Sequence, residues 1–188
     1  QLGVPVVLVD ADMRNPTLHK FVAKTNGYGL SNYLSGHESK EELVRKSAIK
    51  NVSIVTAGPV APSPVDLLMG PRFGQLMDQL QAAGYEYIII DGPPILGLAD
   101  AIVLGNQIGS VLYVAQASQT RKSHIKDAFR RLRMAGVVPR GIVLTRATAR
   151  NTAYYTYESY YGYGSAPPAA AGKTQPSRLK AEPGLKAG

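Results

Sequence analysis

The most constraining feature of this sequence is an apolar run that ends in two closely spaced aspartates. Residues 4–9, VPVVLV, are rich in β-branched side chains, and Asp10 and Asp12 follow directly. Such a run is typical of a parallel strand buried on both faces, and open α/β folds bind ligands just outside the carboxyl ends of these strands. Two carboxylates one residue apart repel each other unless a cation lies near them, which favours a divalent-cation site. Helix capping by Asp10 or Asp12 is an equally good interpretation of this stretch alone.

A second stretch repeats this design and favours the cation site. Residues 87–90, YIII, form another apolar run, which ends at Asp91 and a stiff Gly-Pro-Pro turn. An apolar strand closed by one Asp is typical of the Walker B pattern, in which the carboxylate holds Mg²⁺ directly or through water. Many α/β strands end in Asp, so the conjunction of the two stretches carries the prediction.

The rest of the chain predicts an α/β fold with a doubly wound, mostly parallel sheet. Strand-like and helical patterns alternate over residues 51–55, 71–83, 87–90, 110–115, 123–135 and 141–144. This alternation is what βαβ units require. A further helix is predicted over residues 39–47, because Ser39 and Glu42 have the spacing of a capping box.

Composition narrows the class of protein. Cysteine is absent, so the chain has neither a disulfide framework nor a thiolate metal site. The net charge of +8 suits acidic partners such as nucleotides, anionic lipids or nucleic acids without choosing among them. No run of about 18 apolar residues occurs, so no transmembrane helix is predicted in this sequence.

The C-terminal part has a different character. Residues 145–178 contain no Val, Ile, Leu, Met, Phe or Trp, and burial cannot offset the entropy of ordering such a segment. We therefore predict a core domain over residues 1–146, a flexible tyrosine cluster over 147–164 and a disordered basic Ala/Pro/Gly tail over 165–188.

Six of the eleven tyrosines lie in the tyrosine cluster. They are Tyr154, Tyr155, Tyr157, Tyr160, Tyr161 and Tyr163. A stacking platform for single-stranded nucleic acid and a sticky low-complexity segment are alternative uses. Glu158 is the only charged residue among these tyrosines, and no basic residues interleave with them, so a nucleic-acid partner is not predicted.

Four motifs in order resemble one family. VVLVDADMRNPTLHKF (residues 6–21) resembles the Walker A-prime segment of bacterial tyrosine kinases, the P-loop-derived kinases of capsule and exopolysaccharide assembly. YIIIDGPP (87–94) resembles their Walker B motif, and GPVAPSPVDLL (58–68) resembles the loop and helix between the two. The tyrosines of 154–163 resemble their C-terminal autophosphorylation cluster.

The resemblance implies a P-loop NTPase-like fold of the deviant Walker type, whose first strand and phosphate loop are missing from this chain. A phosphate loop needs glycine-rich backbone followed by Lys and Ser/Thr. The only Gly-Lys-Thr here is Gly172–Thr174, where Pro167 replaces the first glycine and no apolar strand leads in.

The activity implied by the resemblance is ATP-dependent tyrosine phosphorylation. Asp12 and Asp91 would hold Mg²⁺, and together with Arg146 they would bind ATP. Asp10 would accept the proton of the incoming tyrosine hydroxyl, and the six clustered tyrosines would be the phosphate acceptors. Arg14 would pair either with a phosphate or, in a structural role, with Asp12.

The implied partners are those of polysaccharide export at the inner face of the bacterial plasma membrane, on the cytoplasmic side. They are other copies of the protein in a ring, a membrane-embedded polysaccharide co-polymerase and a cognate tyrosine phosphatase. Two alternatives stay open. One is a partition- or septum-positioning ATPase of the same superfamily, which has no reason to carry six clustered tyrosines. The other is an inactive regulatory or acceptor module, because the phosphate loop is absent.

Overall fold

The computed structural model describes residues 3–22, 25–37 and 42–148. The chain divides into one compact unit over residues 1–147 and a second over 148–188. The second unit lies almost wholly outside the described residues, so the tyrosine cluster and the basic tail stay predictions. Within the described ranges, no helix has both the length and the apolar character needed to cross a membrane.

Strands and helices alternate along the described chain, which confirms the predicted α/β class. The strands are β1 (Val6–Asp10), β2 (Arg45–Lys46), β3 (Val52–Val55), β4 (Tyr87–Asp91), β5 (Leu112–Gln116) and β6 (Gly141–Thr145). The helices are α1 (His19–Val22), α2 (Leu30–Leu34), α3 (Pro64–Met69), α4 (Pro71–Ala82), α5 (Asp100–Gln107) and α6 (Lys122–Met134).

Strand β1 is the centre of a four-stranded sheet with the order β2-β3-β1-β4. It pairs in parallel with β3 on one side and with β4 on the other, while β2 is antiparallel to β3. Val7 and Val9 of β1 are fully buried in the main hydrophobic core, together with Phe73 and Leu76 of α4. The apolar run that opens the sequence is therefore the strand around which the core is built.

Strands β5 and β6 form a separate parallel pair, so the described strands make two sheets rather than the single sheet expected. Strand β4 lies at the end of the first sheet, and both it and β5 carry half-exposed apolar side chains, Ile89 (51%) and Val114 (61%) among them. A groove of about 1390 Å³ is lined by residues of both strands. Each strand thus has backbone groups on one side without a strand partner among the described residues.

The helix predicted over residues 39–47 is wrong for the part that is described. Residues 38–41 lie outside the described ranges, and residues 43–44 form a bend that leads into β2. Arg45 pairs with Ile54 and Lys46 with Ser53, and the Ser47 N–H donates to the Val52 carbonyl at 3.1 Å. Pairing with a neighbouring strand outweighs the helix propensity of Glu42, Leu43 and Arg45, because tertiary contacts routinely override intrinsic propensity.

Candidate active site

The register of the β1–β4 ladder brings two strand-end carboxylates side by side. Asp10, the last residue of β1, is the direct partner of Asp91, the last residue of β4. The ladder continues one step further, because the Ala11 N–H donates to the Asp91 carbonyl at 2.8 Å. Asp12 follows two residues after Asp10. The three aspartates predicted from the sequence therefore lie at one edge of the sheet.

Asp10 is buried and anchors the chain segment that follows β1. Its side chain is 1% exposed. Oδ1 accepts the N–H of Asp12 at 3.2 Å, and Oδ2 accepts the N–H of Leu18 at 3.0 Å, just before α1. Loss of hydration raises the pKa of Asp10, the two backbone N–H groups oppose this, and the charge of Asp91 adds to the rise. Asp10 therefore accepts hydrogen bonds from the backbone of the segment between β1 and α1, and Leu18 lies just outside the helix that the capping alternative would require it to begin.

Asp12 forms a local turn and is half-buried. Its Oδ1 accepts the N–H groups of Arg14 at 3.3 Å and Asn15 at 3.0 Å. Both bonds use the same oxygen. The turn fixes the carboxylate beside the end of β1 and leaves Oδ2 without a hydrogen bond inside the described ranges.

Asp91 is exposed as a residue, yet its carboxyl group lies close enough to protein atoms to lose part of its hydration. This loss raises the pKa of Asp91, and the charge of Asp12 raises it further. Neither Asp10 nor Asp91 forms an ion pair with a Lys or Arg side chain of the described chain. The strand ends therefore carry negative charge that a bound cation would neutralise.

The donor set suits Mg²⁺ rather than a cage made only of protein ligands. In residues 3–22, 25–37 and 42–148, no group of three or more His, Cys, Asp or Glu side chains is arranged to hold a metal. Mg²⁺ keeps several waters and usually takes one or two carboxylates together with substrate phosphates. Asp12 and Asp91 supply two such carboxylates, so the residues fit a metal–phosphate complex.

Arg14 pairs with a residue that the sequence did not point to. Its Nε donates to Oδ2 of Asp100 at 2.6 Å and its Nη2 to Oδ1 at 3.2 Å. The expected structural pairing of Arg14 with Asp12 is therefore wrong. The hydrogen bond to Asp100 raises the pKa of Arg14 further above its usual range. An Asp at the start of a helix is ordinary in a sequence, and 86 residues separate this pair, so no local pattern indicated it.

The remaining predicted site residues lie elsewhere or outside the described chain. Arg146 follows β6 in the second sheet, is exposed and has a positive φ of 52°. No hydrogen bond or ion pair joins Arg146 to the three aspartates in the described structure. The six tyrosines of residues 154–163 lie outside the described residues, and their role as phosphate acceptors stays a prediction.

Comparison with known proteins agrees on one family, although no family model matches the chain. The chain is 35% identical over 160 residues to EpsB of Ralstonia nicotianae, named as a tyrosine-protein kinase; the match covers 85% of this chain and 21% of EpsB. It is 32% identical over 158 residues to CapB of Staphylococcus aureus, also named as a tyrosine-protein kinase, covering 84% of this chain and 69% of CapB.

A solved structure gives the same result. The kinase domain of the Escherichia coli tyrosine kinase ETK superimposes with a TM-score of 0.69 at 32% identity, covering 77% of this chain and 58% of that domain. The sequence analysis pointed to the same family. The chain spans about a fifth of the length of EpsB and of similar large relatives.

The charge at the strand ends predicts opposite effects of two equivalent substitutions. Asp91→Asn should raise the midpoint of thermal unfolding at neutral pH, because it removes a repelled carboxylate. Asp10→Asn should cost about 1–3 kcal/mol of stability, because its amide group would face a backbone N–H in a buried position.

The pH dependence is a further check on Asp91. A carboxyl group whose pKa is raised on folding binds extra protons in the native state, so the native protein gains stability as the pH falls through that raised pKa. The stability that Asp91→Asn gains over the unmodified chain should therefore be present at neutral pH. It should disappear as the pH falls to the usual pKa of a carboxyl group. Thermal unfolding followed by circular dichroism measures both variants, and a neutral-pH loss of stability in Asp91→Asn would contradict this assignment.

Proposed function

The chain belongs to the bacterial tyrosine-protein kinase family, and from that premise we propose that the whole protein is an ATP-dependent kinase that phosphorylates its own C-terminal tyrosines. The observation that carries this proposal is the register of β1 with β4, which sets Asp10 opposite Asp91 with Asp12 beside them. Phosphoryl transfer depends mostly on positioning and on neutralising charge at the phosphates. Paired strand-end carboxylates are suited to that task.

In the proposed mechanism Asp12 and Asp91 hold the metal. Bound Mg²⁺ would neutralise charge on the ATP phosphates. Loss of hydration and the charge of Asp12 raise the pKa of Asp91, and Oδ2 of Asp12 has no hydrogen-bond donor in the described ranges. Both groups therefore gain when a divalent cation binds. Arg146 is retained as a proposed nucleotide contact, from its position directly after β6.

Asp10 is proposed to orient the site and to accept the tyrosine proton. A tyrosine hydroxyl has an ordinary pKa of about 10, far above that of a carboxyl group. The raised pKa of Asp10 narrows this gap. Its 1% exposure means that the hydroxyl reaches it only after the covering chain moves. The two backbone hydrogen bonds of Asp10 meanwhile keep Asp12 and the following segment in place.

The phosphates also need a backbone cradle, for which we propose a place in the fold. Strands β4 and β5 line the groove of about 1390 Å³ and have no strand between them in the described structure. A parallel strand in this groove would end next to Asp91. We propose that the phosphate loop of the whole protein follows such a strand.

The biological role is proposed from the family and the C-terminal sequence. Phosphorylation of the clustered tyrosines in trans, within a ring of copies, would regulate capsular or exopolysaccharide polymerisation and export. The partners would be a membrane-embedded co-polymerase and a cognate phosphatase, at the inner face of the plasma membrane. An ATPase of the partition type would share the aspartates but would not need six tyrosines in residues 154–163, so it is the second candidate.

We predict that the whole protein, incubated with Mg·ATP, gains phosphate on tyrosines within residues 154–163. Asp91→Asn should abolish the modification, because it removes one of the two metal-holding carboxylates. Asp78→Asn, which changes an exposed acid of α4, is the matched control and should leave phosphorylation intact. Mass spectrometry identifies the modified residues. An unmodified tyrosine cluster in a protein that consumes ATP would instead favour the hydrolytic ATPase.

A second prediction concerns the phosphate cradle. The 188-residue chain should bind Mg·ATP more weakly than the whole protein, because its sequence contains no Gly-x-x-x-x-Gly-Lys-Ser/Thr loop to surround the phosphates with backbone N–H groups. Isothermal titration calorimetry on both proteins measures the difference. Equal affinities would mean that the cradle is not needed, and the proposed strand in the groove would be wrong.

A further inference from the structure

The ion pair between Arg14 and Asp100 connects the two loops that leave the site. Arg14 lies four residues after the end of β1, and Asp100 lies nine residues after the end of β4, as the first residue of α5. Asp100 is 1% exposed, whereas the Arg14 side chain is 41% exposed. The pair therefore lies at the boundary between the core and the open edge of the sheet.

The geometry of the ion pair fixes the guanidinium of Arg14 firmly against Asp100. Two neighbouring donors of Arg14 meet the two oxygens of Asp100, at 2.6 and 3.2 Å. Such fork-to-carboxylate pairs fix orientation as well as position. Burial of Asp100 strengthens the pair further, because the carboxylate would have neither water nor a cation beside it if Arg14 moved away.

The carboxylate of Asp12 is also close enough to Arg14 to interact with its charge. The backbone N–H of Arg14 already donates to Oδ1 of Asp12 at 3.3 Å. The charge of Asp12 also acts on the guanidinium, although less than that of Asp100. A guanidinium released from Asp100 would therefore have Asp12 as its alternative partner and would occupy the oxygens that a divalent cation needs.

We propose that Asp100 is a positioning residue that withholds Arg14 from Asp12 and so keeps Asp12 available to a divalent cation. This inference rests on the metal site of the proposed function and deepens it. Asp100 touches neither metal nor substrate in this role and acts through Arg14. The pair also keeps a positive charge beside the site without letting it neutralise the metal-holding carboxylate.

The test is Mn²⁺ binding, measured by electron paramagnetic resonance on the 188-residue chain. Asp100→Asn should weaken Mn²⁺ binding about tenfold. A loss of this size is usual when a residue that orients the surroundings of a metal ligand, without touching the metal, is removed. The double variant Arg14→Gln with Asp100→Asn should restore the Mn²⁺ affinity of the unmodified chain, because no guanidinium is left to compete. A purely structural pair would give no such recovery.

Asp127→Asn is the matched control. It breaks the exposed pair of Asp127 with Arg130, 2.7 Å apart on α6, and should leave Mn²⁺ binding unchanged. If circular dichroism shows that Asp100→Asn is unfolded, Arg14→Lys replaces it. Lysine keeps the charge but cannot form the fork, so it should weaken Mn²⁺ binding in the same direction.

The outcomes separate this inference from the proposed function. Unchanged Mn²⁺ binding in the folded Asp100 variant or its Arg14→Lys replacement, or a double variant as weak as the single one, would overturn the role of Asp100 while leaving the metal site intact. Failure of the unmodified chain to bind Mn²⁺ without nucleotide would overturn this inference, which requires Asp12 to be open to a cation, whereas phosphorylation of residues 154–163 in the whole protein tests the proposed function separately.

Discussion

The parallel ladder between β1 and β4 is the interaction on which the site depends. A shift of one residue in this pairing would send every side chain of the shifted strand to the opposite face. The burial of Val7 and Val9 in the core makes such a shift costly, so the same contacts that stabilise the sheet fix Asp10 against Asp91. The chemistry at the sheet edge is therefore set by apolar packing further along the strand.

This arrangement places negative charge at a position where it adds little to the stability of the fold. Asp10 stabilises the following segment through two backbone hydrogen bonds, whereas Asp91 loses hydration and is repelled by Asp12 without a compensating ion pair in the described structure. Arg14 donates its backbone N–H to Asp12, but its guanidinium is paired with Asp100. Carboxyl groups with raised pKa values that lie together at the end of a sheet are typical of functional sites.

The sequence indicated the features that depend on local pattern. The apolar runs predicted β1 and β4. Because parallel strands end at the same edge of a sheet, the sequence also predicted that Asp10 and Asp91 lie close together. The sequence did not indicate the features that depend on residues far apart in the chain. Residues 45–46 form a strand because β3 lies beside them, and the pairing of Arg14 with Asp100 spans 86 residues. The division of the described strands into two sheets, with β4 in one and β5 in the other, depends on the whole fold rather than on a local pattern.

The most direct test of this account is the titration of the Asp10 side-chain carboxyl carbon, followed by nuclear magnetic resonance in the unmodified chain and in Asp91→Asn. Because the charge of Asp91 contributes to the raised pKa of Asp10, the account predicts that Asp10 titrates at a lower pH in the variant than in the unmodified chain. An Asp10 that titrates identically in both proteins would mean that the two carboxylates do not share one site, and the central claim would fail.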